Sequence, residues 1–236
     1  MTARRAPTTW PKPMPQLTDE QLRIRDDHMK RFHEAISNTY GAISRFNHAY
    51  PLPSVRPGIR TLEIGAGLGE HLDFEDATKQ EFVALELRQE MADVIAEKYP
   101  EAQTCVGDVE QGLAFPDASF DRVIAIHVLE HLPNLPVALD EVRRVLKPGG
   151  VFEIVIPCEG GLAYTLGRKV TAQRAFEKRY GVPYGWCIES EHFNVPREII
   201  HELDARFERG RRKFWPLRIP SVDVNVCIGL SYHRPA

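Results

Sequence analysis

Short apolar runs recur through the middle of the chain, each followed by glycine or an acidic residue and then by a stretch with helical spacing. The pattern predicts strands at about 59–64, 82–87, 102–106, 121–126 and 151–156, and helices at about 69–77, 88–98, 135–146 and 196–208. Strand and helix alternating in this way predict an α/β fold with a parallel sheet covered on both faces. Lys147-Pro-Gly-Gly150 is read as the stop and turn after the third helix. Two extended runs, at about 211–217 and 223–232, follow the last helix and predict a hairpin added to the sheet edge.

The flanks read differently. Residues 1–17 are Pro-rich without an apolar core, which predicts disorder and no signal peptide. An N-terminal helical extension is expected over 18–57. Thr18 and Gln21 can form a capping box at its start, and Pro51, Pro53 and Pro57 break the chain before the first strand. Residues 58–236 form the main domain. Within it, 158–195 does not fit the alternation; its aromatics, glycines and cations suggest a long irregular connection serving as a lid or groove.

Composition narrows the function. The formal net charge is −3, so nothing global calls for nucleic acid. A local basic cluster, Arg206 to Arg218, reads as a solvated helix end and turn, or as a face for a phosphate or an anionic membrane. Cys105, Cys158, Cys187 and Cys227 are widely spaced, which suits reduced thiols in a cytoplasmic protein and no metal site. No apolar stretch approaches the ~20 residues of a membrane span.

The candidate ligand site is Gly65-Ala-Gly-Leu-Gly69, directly after the first strand. Its G-x-G-x-G spacing departs from the dinucleotide fingerprint, and no Arg or Lys stands ready for a pyrophosphate near it. Three carboxylates sit at strand ends: Glu63, Glu86 and Asp108. Glu86 can accept both hydroxyls of a ribose, Asp108 an adenine amino group, and Glu63 can help to hold an ammonium group. The ligand implied is an adenosine with a positively charged tail.

Six stretches then carry a resemblance. They are Leu62-Glu-Ile-Gly-Ala-Gly-Leu-Gly-Glu-His71, Ala84-Leu-Glu86, Gly107-Asp-Val109, Phe115-Pro-Asp-Ala-Ser-Phe-Asp121, His127-Val-Leu-Glu-His-Leu132 and Val145-Leu-Lys-Pro-Gly-Gly150. In this order the chain resembles the class I S-adenosylmethionine-dependent methyltransferases, type 11 subgroup, over about residues 58–157. The resemblance implies a Rossmann-like, doubly wound, seven-stranded mixed sheet with an antiparallel last strand. It implies S-adenosylmethionine as cofactor and S-adenosylhomocysteine as product. It assigns Glu63, Gly65, Ala66 and Gly67 to the methionine end, Glu86 and Leu87 to the ribose side, Asp108 and Val109 to the adenine, and His127 to the methyl group.

Methyl transfer to a hydroxyl needs a base, and His127, His131 and His192 are the candidates. His127 is best placed, at a strand end, as base, orienting group or packing residue. His131 is expected to share a helical face with it and to be structural. His192, late in the insertion, is a second catalytic candidate or a local hydrogen-bonding residue. Tyr40 closes the site or belongs to an apolar stripe with Phe32, Ile36 and Ile43. The acceptor expected is a small molecule, such as a sugar or other metabolite bearing a hydroxyl, and a lipid-linked one is compatible with the sequence. Quinone or natural-product acceptors, a catalytically silent cofactor-binding module and, more remotely, a nicotinamide-dependent oxidoreductase are the competing readings. Oligomeric state is not encoded in any motif.

Overall fold

Residues 9–39 and 41–236 are described by the computed structural model, with the side chains of 32–39 excepted. The expectations for residues 1–8, for Tyr40 and for the side chains of Phe32 and Ile36 lie outside the described residues. Seven strands form one sheet: β1 Arg60–Ile64, β2 Glu81–Glu86, β3 Gln103–Val106, β4 Phe120–Ile126, β5 Leu146–Pro157, β6 Glu208–Trp215 and β7 Cys227–His233. Their order is β3-β2-β1-β4-β5-β7-β6. Every pairing is parallel except those of β7, which runs antiparallel between β5 and β6. This is the mixed seven-stranded sheet that the resemblance implies. The chain order reverses between β1 and β4, which opens a crevice at their carboxyl ends.

The two faces of the sheet differ in chemistry. Leu62, Val123, Phe152, Ile154, Leu230 and Tyr232 are fully buried on one face, under α4 (Leu135–Val145) and α8 (Pro196–Asp204). Strand registers put Glu63, Ile124, Glu153 and Ser231 in one row on the other face, with Thr61 and Arg122 one step behind. Toward the β2 side, that face is covered by Ile95 of α3 (Gln89–Lys98) and by Tyr99 just past it. Over β5 and β7 it is covered by α2 (Gly41–Ala49) and Tyr50. Tyr50 can lie flat on β7 because residue 229 is glycine; a Cβ there would stand 2.3 Å from the ring.

Arg122 is wholly buried on this polar face. It donates to the Glu75 carboxylate and, at 3.0 Å, to the Pro51 carbonyl just past α2. His71 closes on the same carboxylate at 2.9 Å. Burial works against the Glu75 anion, yet His71 and Arg122 hold its pKa down at about 2.

Several expectations need correction. The predicted helix at 69–77 is two single 3₁₀ turns, Glu70–Asp73 and Ala77–Lys79, because His71 and Glu75 are drawn inward to Arg122. The third helix does stop before Lys147-Pro-Gly-Gly150, at Val145, but that stretch is no free turn: β5 already starts at Leu146 and passes through it with a register irregularity opposite Phe120 and Arg122. Residues 158–195 are not an irregular connection. They form α5 (Leu162–Arg168), a π-helical turn Lys169–Gln173, α6 (Arg174–Tyr180) and α7 (Gly185–Glu191). Some of the aromatics there are core: Phe176 and Tyr184 make a satellite cluster with Cys187 and Ile24 of α1 (Asp19–Thr39). His28 of α1 adds an edge-on ring contact to Phe176 at 5.0 Å.

The N-terminal capping box forms as read, with the Thr18 and Gln21 side chains each accepting from the other's main-chain N–H. Of the stretch 1–17, the described part is held on the body. Lys12 donates to Phe193 O at 2.8 Å and pairs with Glu198 at 2.6 Å. The reason is a half-buried cation site between those two acceptors, which proline content does not reveal. Most of the C-terminal basic cluster is paired: Arg206 with Asp140 and Glu202, Arg209 with Asp204, and Arg211 with Glu153 at 3.5 Å.

Arg122→Met leaves Glu75 buried and frees the Pro51 carbonyl. The expected loss is about 3–5 kcal/mol of folding stability, read as a lower urea midpoint at unchanged slope.

Candidate functional site

The site is built at the carboxyl ends of β1, β2, β3 and β4. The glycine turn after β1 needs its glycines. Gly65, Gly67 and Gly69 have φ of +65°, +62° and +81°. A Cβ on Gly65 would also stand 2.6 Å from the Val128 side chain. The turn is held to its neighbour strand, since Gly65 and Ala66 donate to Leu85 O at 2.8 and 3.1 Å. Ala66 itself is buried beneath.

Glu86 ends β2 and is only 5% exposed. Its carboxylate accepts the Gly67 N–H at 3.0 Å and the Arg88 N–H at 3.3 Å. Two lone pairs remain, which suits a vicinal pair of hydroxyls. Leu87 beside it is 63% exposed, an apolar surface open to a planar ring. Asp108 lies just past β3 and uses one oxygen on the Glu110 N–H at 2.9 Å. Val109 turns its side chain into the core, so what it offers the site is its main chain.

Glu63 is the most informative carboxyl. It is buried, and its Oε2 has no hydrogen-bond partner among the described residues. Burial raises its pKa well above the usual range, and the nearby Glu75 and Glu70 add to the rise. An orphaned acidic oxygen in this position fits an ammonium group arriving from a ligand. The residues present therefore fit S-adenosylmethionine: Glu63 with the glycine turn would hold the amino acid end, Glu86 the ribose, and Leu87 with Asp108 the adenine.

His127 follows β4 with φ +54°, and its N–H donates to Val155 O at 2.9 Å. Nδ1 meets Glu130 Oε1 at 3.1 Å, and Nε2 meets the Asn47 side chain of α2 at 2.8 Å. A neutral ring donating from Nδ1 accepts from Asn47 at Nε2. An imidazolium needs an acceptor there, which the Asn47 carboxamide supplies by a half-turn that also satisfies its otherwise unpartnered Oδ1. Desolvation pulls the pKa of His127 down, but contacts with the Cys227 thiol and the Glu130 carboxylate outweigh it and push it to about 10. Glu130 is itself held below the usual range by His127 despite its burial.

The other two histidines are engaged elsewhere. His131 does not share a helical face with His127, because residues 129–131 form a single 3₁₀ turn. Its Nδ1–H donates to Glu191 O at 2.7 Å. His192 binds the Glu159 carboxylate, and its ring stands edge-on to His131 at 4.8 Å. Glu159 also pairs with Arg168 of α5 at 2.6 Å. Asn194 donates to the carbonyls of Leu129 and Leu132, so the end of the insertion is stapled to the His127 loop. Among the described residues no group of three or more His, Cys, Asp or Glu is arranged to hold a metal ion. No helix among them is long and apolar enough to cross a membrane.

Sequence reasoning missed Glu130, Asn47 and Glu159 as partners of the site. Glu130 had a signal, lying three residues after His127. Asn47 and Glu159 had none, being 80 residues from His127 and 33 from His192.

Residues 62–154 match the family model described as Methyltransferase domain. That stretch, running from β1 into β5, is similar to the S-adenosylmethionine-dependent methyltransferase domain that the resemblance implies. Two curated relatives share it. Sterol 24-C-methyltransferase ERG6B of Gibberella zeae is 35% identical over 122 residues, which cover 48% of this chain and 32% of the relative. The malonyl-[acyl-carrier protein] O-methyltransferase of Erwinia pyrifoliae is 36% identical over 113 residues, covering 47% and 43%. The chain thus matches less than half the length of either relative.

Solved structures extend the likeness across the whole methyltransferase domain. The N-methyltransferase NodS of Bradyrhizobium japonicum, in complex with S-adenosylhomocysteine, superposes with a TM-score of 0.63 at 14% identity, over 93% of this chain and 100% of that one. The cyclase SpnF superposes with a TM-score of 0.66 at 15% identity, over 95% and 99%. These are likenesses of fold. One of the two proteins is named for a cyclisation, so the fold does not by itself assign the reaction.

Two outcomes are expected. Glu86→Ala weakens S-adenosylmethionine binding by about 1.5–3 kcal/mol, the worth of charge-assisted hydrogen bonds, in calorimetric titration. His127 has a folded-state pKa of about 10, raised from 6.5. Its contribution to stability is therefore complete below about pH 6.5 and is lost as pH rises through about 10. Denaturation midpoints measured across that window should fall for the wild type, and less steeply for His127→Gln.

Proposed function

We propose that this chain methylates a hydroxyl of a small-molecule acceptor, with His127 as the base. The observation that carries the reading is the His127–Glu130 pair, set at the end of β4 beside the glycine turn. A sulfonium methyl is already activated, so most acceptors need only alignment. A hydroxyl is the case in which a held base has work to do.

S-adenosylmethionine, when bound, supplies an electrophilic methyl group whose departure leaves a neutral thioether. The protein's part is positional and acid–base. Glu130 holds the imidazole through Nδ1, leaving Nε2 to face the acceptor once Asn47 yields its place. Neutral His127 would take the proton of the acceptor hydroxyl at Nε2 as that oxygen accepts the methyl group the cofactor would supply. Glu63, Gly65 and Gly67 orient the amino acid end, and Glu86 anchors the ribose. His192, bound to Glu159 and close to His131, shapes the acceptor side in this reading and is not the base.

The named relatives span carbon and oxygen acceptors, a sterol methyltransferase and a malonyl-thioester O-methyltransferase. They support a small-molecule acceptor and leave its atom to the site chemistry. The test is transfer of labelled methyl to a panel of hydroxylated metabolites, sugars first. His127→Ala should lower turnover by about 10²–10⁴ with cofactor affinity little changed. The wild-type rate should climb with pH as His127 loses its proton. Label appearing on nitrogen or carbon, with His127→Ala as active as the wild type, would overturn the reading. Cofactor binding with no transfer to any acceptor class would favour the silent module.

A further inference from the structure

α5 carries two opposed faces. Tyr164 and Arg168 turn inward, toward the core and Glu159. Leu162, Leu166 and Val170 recur at every fourth position and are 74%, 64% and 56% exposed. Large apolar side chains seldom line up in water along successive turns without a partner.

A second apolar group lies against the same helix. The loop between β6 and β7 exposes Leu217 and Ile219 by 55% and 51%. It meets the start of α5 directly: Ala163 donates to Asp223 O at 2.8 Å, and a Cβ on Gly161 would stand 2.2 Å from Val222 O. The loop is internally fastened. Buried Asn225 accepts from Leu217 N at 2.9 Å and donates to Ile219 O and Ser221 O at 2.7 and 2.9 Å. The apolar tips are thus presented on a braced scaffold.

Charge decides what such a face would meet. The stretch 162–180 holds five cations and one carboxylate in a chain whose net charge is −3. Lys169, Arg174 and Arg218 are exposed around the apolar group, and none has an ion-pair partner among the described residues. An apolar stripe rimmed by unpaired cations is the signature of an interfacial helix on anionic lipid. We propose that α5 and the 217–224 loop form one face that docks on an anionic bilayer surface, with the apolar side chains at the acyl boundary and the cations among the headgroups. The inference does not rest on the identity of the acceptor or on His127.

The test is flotation of the full chain with vesicles of phosphatidylglycerol or of phosphatidylcholine alone. Binding is expected to the first, to weaken sharply between about 0.1 and 1 M salt as screening shortens, and to be slight to the second. Leu162→Ser, Leu166→Ser and Val170→Ser together should reduce binding by about tenfold or more. Because these side chains are exposed, the thermal midpoint should be unchanged. Should that triple variant fail to fold, Leu217→Ser with Ile219→Ser tests the same face from another element. No flotation with either vesicle would overturn the proposal, as would equal flotation of folded variants. A wild-type dimer in light scattering that the triple variant converts to monomer, without vesicle binding, would assign the face to a second copy instead.

Discussion

Arg122 is the constraint on which the arrangement of this molecule turns. A guanidinium without solvent contact is costly unless its charge is paired, and two separate parts of the chain fold over it, leaving only Nε without a hydrogen-bond partner among the described residues. Glu75 and His71 come from the connection between β1 and β2, and the Pro51 carbonyl comes from the end of α2. The connection therefore cannot run as a helix over the sheet. The chain after α2 is tied at one point, with Tyr50 laid on Gly229 beside it. A buried ion pair of this kind is weak evidence of net stability. Its effect here is geometric, because it sets where α2 lies.

That placement reaches the site. α2 ends at Ala49, and two residues earlier Asn47 meets Nε2 of His127. The imidazole is thus held from both sides by groups from distant parts of the chain, Glu130 on its own loop and Asn47 on the extension. Opposite it, Glu63 keeps an acidic oxygen unmet beneath the glycine turn.

The parts legible in the sequence are those whose signal is local. The glycine turn, the acidic strand ends and the alternation of strand and helix are each written within a few residues. They place β1 to β5, and the glycine turn and acidic residues at the strand ends, well. What escaped depended on partners far away. Arg122 in a strand looks like an ordinary polar position until Glu75 and Pro51 fold over it. The 158–195 segment looked irregular because its glycines stand between short helices, and some of its aromatics face α1 rather than a ligand. His131 was placed beside His127 by counting along a helix that is only one turn long.

β7 is the last strand along the chain but not the last in the sheet. During synthesis the flank of β5 facing it, with Glu153 awaiting Ser231 and Ile154 awaiting Leu230, stays open until residues 227–233 leave the ribosome. The charged strand β6 emerges earlier but has no neighbour to join until β7 threads in beside β5. Clipping those seven residues would not trim an edge; it would split the sheet and detach β6 with it. The sheet is therefore completed from the inside, and the β5 edge stays unpaired until β7 joins it.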